Sequence, residues 1–159
     1  MNLNMTLDNT PILSGGITVK STQELSSMRQ AGRVVSQTIK LLTSSIEQGM
    51  RTKDLDSIAS QHIARLGAQP SFKGYRGFPA TICISINEEI VHGIPGNRVI
   101  QNGDIVSIDV GAIVNGYHAD SAVTVGVGKI TAESEHLIEA TRTALERGIQ
   151  EARDANRVG

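Results

Sequence analysis

Two aspartates, Asp109 and Asp120, flank an Asn115-Gly116 pair in the run Asp104-Ile-Val-Ser-Ile-Asp-Val-Gly-Ala-Ile-Val-Asn-Gly-Tyr-His-Ala-Asp-Ser-Ala-Val-Thr-Val125. Asn-Gly between two β-rich runs is a strong hairpin signal. A loop of those two residues alone sets Ala112 opposite Ala119, Gly111 opposite Asp120 and Asp109 opposite Ala122. Side chains alternate faces along a strand, so both carboxylates then share one face, diagonally across the pair. A loop one residue longer would reverse the parity. Carboxylates so placed repel unless a cation lies between them, and their oxygens suit hard or borderline divalent metals. Solvent-facing or turn-supporting aspartates are the ordinary alternative. The apolar neighbours Ile105, Ile108, Val110, Ile113, Val114, Val123 and Val125 predict that both faces of the hairpin are largely covered, where an unpaired carboxylate is unfavourable. His118 shares the face of Asp120, as a third ligand, a supporting donor or a surface residue. His92, at a strand end beside Gly93 and Pro95, could be reactive or merely hydrogen-bonded.

The elements that must position these residues are legible upstream. Ser21-Thr-Gln-Glu24 reads as a capping box. From it Leu25, Met28, Gly32, Val35, Ile39, Leu42 and Ile46 recur at helical spacing, predicting an amphipathic helix of about 25 residues that stops at Gly49 and packs on a sheet. Thr52 is the expected cap of a second helix, with Leu55, Ile58, Ala59, His62, Ile63 and Leu66 on its apolar side and Gly67 at its end. His62 reads as a packing residue. A loop with Pro70, Gly74, Gly77 and Pro79 follows, holding Phe72, Tyr75 and Phe78, either as anchoring plugs or as an apolar pocket wall. Thr81–Ile86 reads as a strand, with a short return strand starting at Ile90-Val91. Thr131 or Ser134 caps a last helix whose inner stripe is Ile138, Thr141, Leu145, Ile149 and Ala152, with His136, Glu139, Glu146 and Glu151 on its solvated face.

Composition bounds the rest. The chain has 159 residues, enough for one domain or a piece of one, and 39% of them are hydrophobic while only 3% are aromatic, so the core must be aliphatic. Net charge is −1, from 15 basic and 16 acidic residues, with no basic stripe, which gives nucleic-acid binding no electrostatic footprint. A single cysteine, Cys83, excludes an internal disulfide and a Cys-rich zinc site, and fits a reduced, cytoplasmic compartment. No apolar run is long enough for a membrane span. Residues 1–16 lack the character of a signal peptide and read as a flexible leader.

The motifs Gly74-Tyr-Arg-Gly-Phe-Pro79, Cys83-Ile-Ser-Ile-Asn87, Val91-His-Gly-Ile-Pro95, Gly103-Asp-Ile-Val-Ser-Ile-Asp-Val110 and Asn115-Gly-Tyr-His-Ala-Asp120 together resemble the N-terminal part of type I methionine aminopeptidases, of the pita-bread fold. The resemblance runs over residues 17–159. It implies an α+β fold, the first half of a pita-bread (creatinase/aminopeptidase-like) domain: two helices, an antiparallel sheet with a hairpin, and a C-terminal helix. It implies Asp109 and Asp120 as the first of five ligands to two divalent ions (Co, Mn, Fe or Zn). It implies His92 as a catalytic, substrate-handling histidine, and Tyr75, Phe78 and Cys83 as walls of a methionine pocket, with Phe72 a weaker candidate. His118 matches a position the family does not use as a ligand.

The implied activity is removal of the initiator methionine from nascent peptides, including ribosome-associated chains, by metal-assisted hydrolysis. The remaining ligands, one His and two Glu, lie downstream in the family and are not in this chain. Two carboxylates alone make a poor site. The expectation is therefore an incomplete centre with little activity by itself, and an apolar exposed face that meets another half. Alternatives are a non-catalytic pita-bread binding module or truncated inactive homologue, and a prolidase- or creatinase-like member, against which the His-Gly-Ile-Pro stretch and short leader argue.

Overall fold

A computed structural model describes residues 4, 5, 11, 12 and 18–157. Of the expected leader it gives only a short antiparallel pair, β1 (Asn4–Met5) against β2 (Pro11–Ile12), and the rest of residues 1–16 lies outside the described residues.

Helix α1 (Thr22–Ser45) starts on the capping box expected of it: the Glu24 amide donates to Ser21 Oγ at 3.3 Å, and the Ser21 amide donates to Glu24 Oε2 at 2.6 Å. It ends at Ser45, before Gly49, because Ile46 is already extended (φ −66°, ψ 130°). Its buried face is Ser27, Ala31, Val34, Val35, Thr38 and Leu42; of the expected stripe Val35 and Leu42 are buried, while Leu25 and Met28 stand more than a third exposed. Thr38 is tolerated inside because its hydroxyl donates to the Val34 carbonyl at 2.8 Å.

Helix α2 (Thr52–Arg65) buries Leu55, Ala59 and Ile63, as the pattern predicts, while Leu66 lies outside the helix and exposed. Thr52 is not its cap. Arg51 holds that place, its amide donating to Asp54 Oδ2 at 2.9 Å, and the Thr52 hydroxyl is engaged elsewhere.

Four strands form one antiparallel sheet: β3 (Gln69–Pro70), β4 (Cys83–Ile86), β5 (Ile105–Val114) and β6 (Tyr117–Gly126). β5 is central, with β6 along one edge and β3 and β4 on successive stretches of the other. Its even-numbered residues Val106, Ile108, Val110 and Ala112 are fully buried in a core shared with α1 and α2. Its odd-numbered residues face away from the helices. That second face is only partly covered: His118, Asp120 and Ala122 of β6 are exposed, contrary to the expectation of a hairpin covered on both sides. Both helices lie on one side of the sheet, and α3 screens the other only in part.

Two expected strand segments do not form. The strand predicted from Thr81 begins at Cys83, because the Thr81 and Ile82 amides donate to the Asp56 carboxylate instead of a ladder partner. Ile90-Val91 does not return as a strand. Beyond the Glu89 turn the chain meets β4 at Gly93, which accepts from the Ile84 amide at 2.9 Å and donates to Ser85 Oγ at 3.1 Å, so a side chain stands where a ladder carbonyl would.

Helix α3 (Ala132–Glu151) is capped by Thr131, whose hydroxyl accepts from the Ser134 amide. It buries no residue, and of its expected inner stripe Leu145 and Ile149 are 59% and 64% exposed. The apolar exposed face anticipated from the sequence is thus carried by α3 together with Ile90, Val91 and Ile94.

Candidate metal centre and adjoining cavity

The hairpin register is the one the two-residue loop requires. Asn115 (φ 51°) and Gly116 (φ 80°) both adopt positive φ, as a type I′ turn demands. Asp109 pairs with Ala122, Gly111 with Asp120, and Ala112 with Ala119. Both carboxylates therefore project from the face that the first two helices leave open. Asp109 Oδ1 is buried without a hydrogen-bond partner. Burial, then the charge of Asp120 and a hydrogen bond to it, push the Asp109 carboxyl up from 3.8 to about 6, with His92 acting in the opposite direction. An orphaned carboxylate oxygen beside a second carboxylate is the environment a divalent cation relieves, so the pair fits part of a metal site. Among the described residues no cluster of three or more His, Cys, Asp or Glu completes one.

His118 shares the Asp120 face, but its Nδ1 lies 3.1 Å from Ser71 Oγ, tying it to the loop after β3. His92 sits at φ 59°, a conformation uncommon for a residue with a Cβ, in a segment held to β4 through Gly93. A Cβ on Gly93 would lie 2.0 Å from the Ile84 carbonyl oxygen, so only glycine permits this approach.

Beside the aspartates opens a cavity of about 640 Å³, lined by Phe72, Tyr75, Phe78, Cys83 and His92 together with Asp109 and Asp120. The expected wall residues Tyr75, Phe78 and Cys83 all border it. Phe72, the weaker expectation, borders it too: its ring stands edge-on to Phe78 (centroids 6.5 Å apart, planes at 89°). The Phe72 ring rests over Gly111, where a Cβ would lie 2.6 Å from its Cε1. Arg76 and Ile94 also border the cavity and were not singled out from sequence, although both lie inside recognised motifs. Arg76 places its guanidinium 5.5 Å from the Tyr75 ring centroid. Burial, then Asp109, Asp120 and Asp56, push the Cys83 thiol up to about 11, so at neutral pH it is an uncharged wall. A second cavity, of about 360 Å³, lies across His92 and Asp109, between Ser85, Ser107 and Thr124 of the sheet and Ile138 and Leu145 of α3.

Three helices, an antiparallel sheet and an aspartate pair on its open face define the first half of a pita-bread fold. The model of metallopeptidase family M24 matches residues 26–159, and the chain belongs to that family. It is 51% identical over 142 residues to methionine aminopeptidase 1 of Bacillus subtilis, covering 89% of this chain and 57% of that protein. It is 46% identical to a methionine aminopeptidase of Clostridium acetobutylicum, again over 57% of the relative. The methionine aminopeptidase structure from Thermotoga maritima superposes with a TM-score of 0.82 at 35% identity, covering 85% of this chain and 54% of that one. A prolidase from Pyrococcus furiosus shares the fold at 23% identity and a TM-score of 0.72. The chain thus spans little more than half the length of these methionine aminopeptidases. Membership of a metallopeptidase family implies divalent metal ions. No helix among the described residues is long and apolar enough to cross a membrane.

Proposed function

We propose that this chain is the N-terminal half of a methionine aminopeptidase domain, spanning residues 17–159, that removes the initiator methionine from peptides in the cytoplasm, nascent chains at the ribosome included. The observation that carries the reading is the orphaned Asp109 oxygen beside Asp120 at the edge of an aromatic-lined cavity. Asp109 and Asp120 would hold two divalent ions in company with ligands from polypeptide beyond these residues. Such ions lower the pKa of a bound water and polarise the scissile carbonyl.

The chain's own residues supply position and selection. His92, at the cavity's edge and beside Asp109, would hydrogen-bond the substrate's amino end near the reacting centre. Phe72, Tyr75, Phe78 and Cys83 would enclose the methionine side chain, where sulfur–aromatic contacts and shape favour Met over Leu. The exposed apolar residues of α3, with Ile90, Val91 and Ile94, form the face on which the complementary half, continuous or separate, would pack.

Two measurements test this. Calorimetric titration with Mn(II) or Co(II) is expected to give heat with the wild type and none with Asp109→Ala; an unchanged response rules Asp109 out as a ligand. The isolated 159-residue chain is expected not to cleave Met-Ala-Ser with either metal present. Robust turnover would overturn the claim that two carboxylates are too few. A non-catalytic binding module would instead bind Met-initiated peptide with no dependence on metal.

A further inference from the structure

The two walls of the cavity come from segments distant in sequence: Cys83 from the entry of β4, and His92 with Ile94 from the loop after it. Cys83 is paired to β5 and the loop meets β4 through Gly93, and both segments are in addition bonded to the start of α2. Asp56 Oδ1 accepts from the Thr81 amide at 2.8 Å and from the Ile82 amide at 3.0 Å, spanning 25 and 26 residues of sequence. Thr52, 3% exposed, accepts from the Gly96 amide at 2.8 Å through its hydroxyl, which also donates to the Gly96 carbonyl at 3.2 Å. The Lys53 amide donates to the same carbonyl at 3.0 Å, and the Thr52 amide to Arg98 at 3.0 Å.

We infer that Asp56 and Thr52 are positioning residues: the first turn of α2 sets the Cys83 wall and the His92 loop at a fixed separation, and so sets the width of the cavity. The chemistry suits the task. A carboxylate taking two consecutive amides on one oxygen fixes both the direction and the register of the strand that begins next to it. A threonine hydroxyl that both donates and accepts holds one peptide unit at two points. Strand pairing places Cys83 opposite Asp109, so the anchor on Thr81 and Ile82 also decides where the thiol stands relative to the carboxylates.

The inference rests on reading the cavity as the ligand site, but its test needs neither metal nor peptide, so its failure is separable from failure of that reading. Cys83 is the chain's only cysteine and is 5% exposed, so its labelling by an aromatic disulfide reports opening of that wall alone. Asp56→Ala is expected to speed labelling in native buffer by about tenfold more than its loss of global stability in urea accounts for. Asp56→Asn, whose carbonyl still accepts both amides, is expected to stay within about threefold of wild type. Thr52→Val is expected to leave Cys83 labelling unchanged while speeding hydrogen exchange at Gly93, three residues from the lost bond. The inference is overturned if Asp56→Ala labels only in proportion to global unfolding, or if Thr52→Val leaves Gly93 exchange at the wild-type rate. Should Asp56→Ala not fold, wild-type exchange decides: Thr81 and Ile82 amides must be as protected as those of β5, and free exchange sinks it.

Discussion

Asp109 and Asp120 occupy diagonal rungs of one antiparallel ladder, Asp109 across from Ala122 and Asp120 across from Gly111, and the carboxyl of the first is destabilised as an anion by the second. Without a cation between them, two such carboxylates are an unfavourable arrangement kept by the sheet.

Its consequence is a stability that falls with pH. The Asp109 carboxyl titrates at about 6 in the folded chain against 3.8 ordinarily, so the folded state binds more protons between those values. Stability is then full below about pH 4 and lost as pH rises through about 6. Asp109→Asn should abolish that loss and make the metal-free protein more stable than wild type at pH 7, by about 1 kcal/mol once solvent screening of a half-open carboxyl is allowed for. Urea denaturation at pH 4.5 and 7 checks this; a mutant that is less stable at pH 7 contradicts it.

Glu24 predicts the opposite limb. Its hydrogen bonds from the Ser21 amide and the Tyr117 hydroxyl hold its carboxyl down at about 2. That contribution is present above the ordinary carboxylate range and is lost as pH falls through about 2. Ser21→Ala, which removes the hydroxyl half of the capping box, should cost about 1 kcal/mol at pH 7. It should also raise the Glu24 titration point, read by NMR of the side-chain carboxyl.

Gly111→Ala tests the cavity floor. The new Cβ would fall 2.6 Å from Phe72 Cε1 and 2.8 Å from Ser71 Cβ, both outside the main core. The ring must move off the sheet, at a cost of about 1–3 kcal/mol, and into the cavity. Weaker binding of a methionine amide, with the hairpin register kept in NMR cross-strand contacts, is the expected pair of results.

Core and periphery should separate cleanly. Leu55 is fully buried, and Leu55→Ala should lose about 2–5 kcal/mol in denaturant unfolding. Leu145, 59% exposed on α3, is expected to change stability by less than about 0.5 kcal/mol when replaced by Ser. A large loss for Leu145→Ser would mean that α3 is covered in solution, by a second copy of the chain, which sedimentation would detect.

The features legible in the sequence are those decided over a few residues. The Asn115-Gly116 turn can be satisfied only by positive φ at both positions, and that local requirement fixed the parity that puts Asp109 and Asp120 on one face. Ser21 and Glu24 lie three residues apart, so their reciprocal cap needs nothing beyond the helix they start. The position of each helix was legible too, through apolar spacing, although the buried side of α1 was legible only in part, at Val35 and Leu42. A stripe of apolar residues says that a face is buried, and only the partner decides which residues lie at its centre; the sheet chose Ala31 and Val34 over Leu25 and Met28.

Tertiary structure alone decided what depends on distant partners. Asp56 draws the Thr81 and Ile82 amides out of the sheet from 25 and 26 residues away, shortening β4. Gly93 closes on Ile84 and leaves His92 at a positive φ, which no local pattern specifies. The open face of β6, where the apolar sequence predicts cover on both sides, is likewise a matter of what packs there and not of the strand itself. By itself the sequence determined the aspartate pair, its shared face and the family motifs around it, because backbone parity and turn chemistry are local. The orphaned oxygen of Asp109, the cavity beside it and the uncovered stripe of α3 were decided only when segments far apart in the chain met.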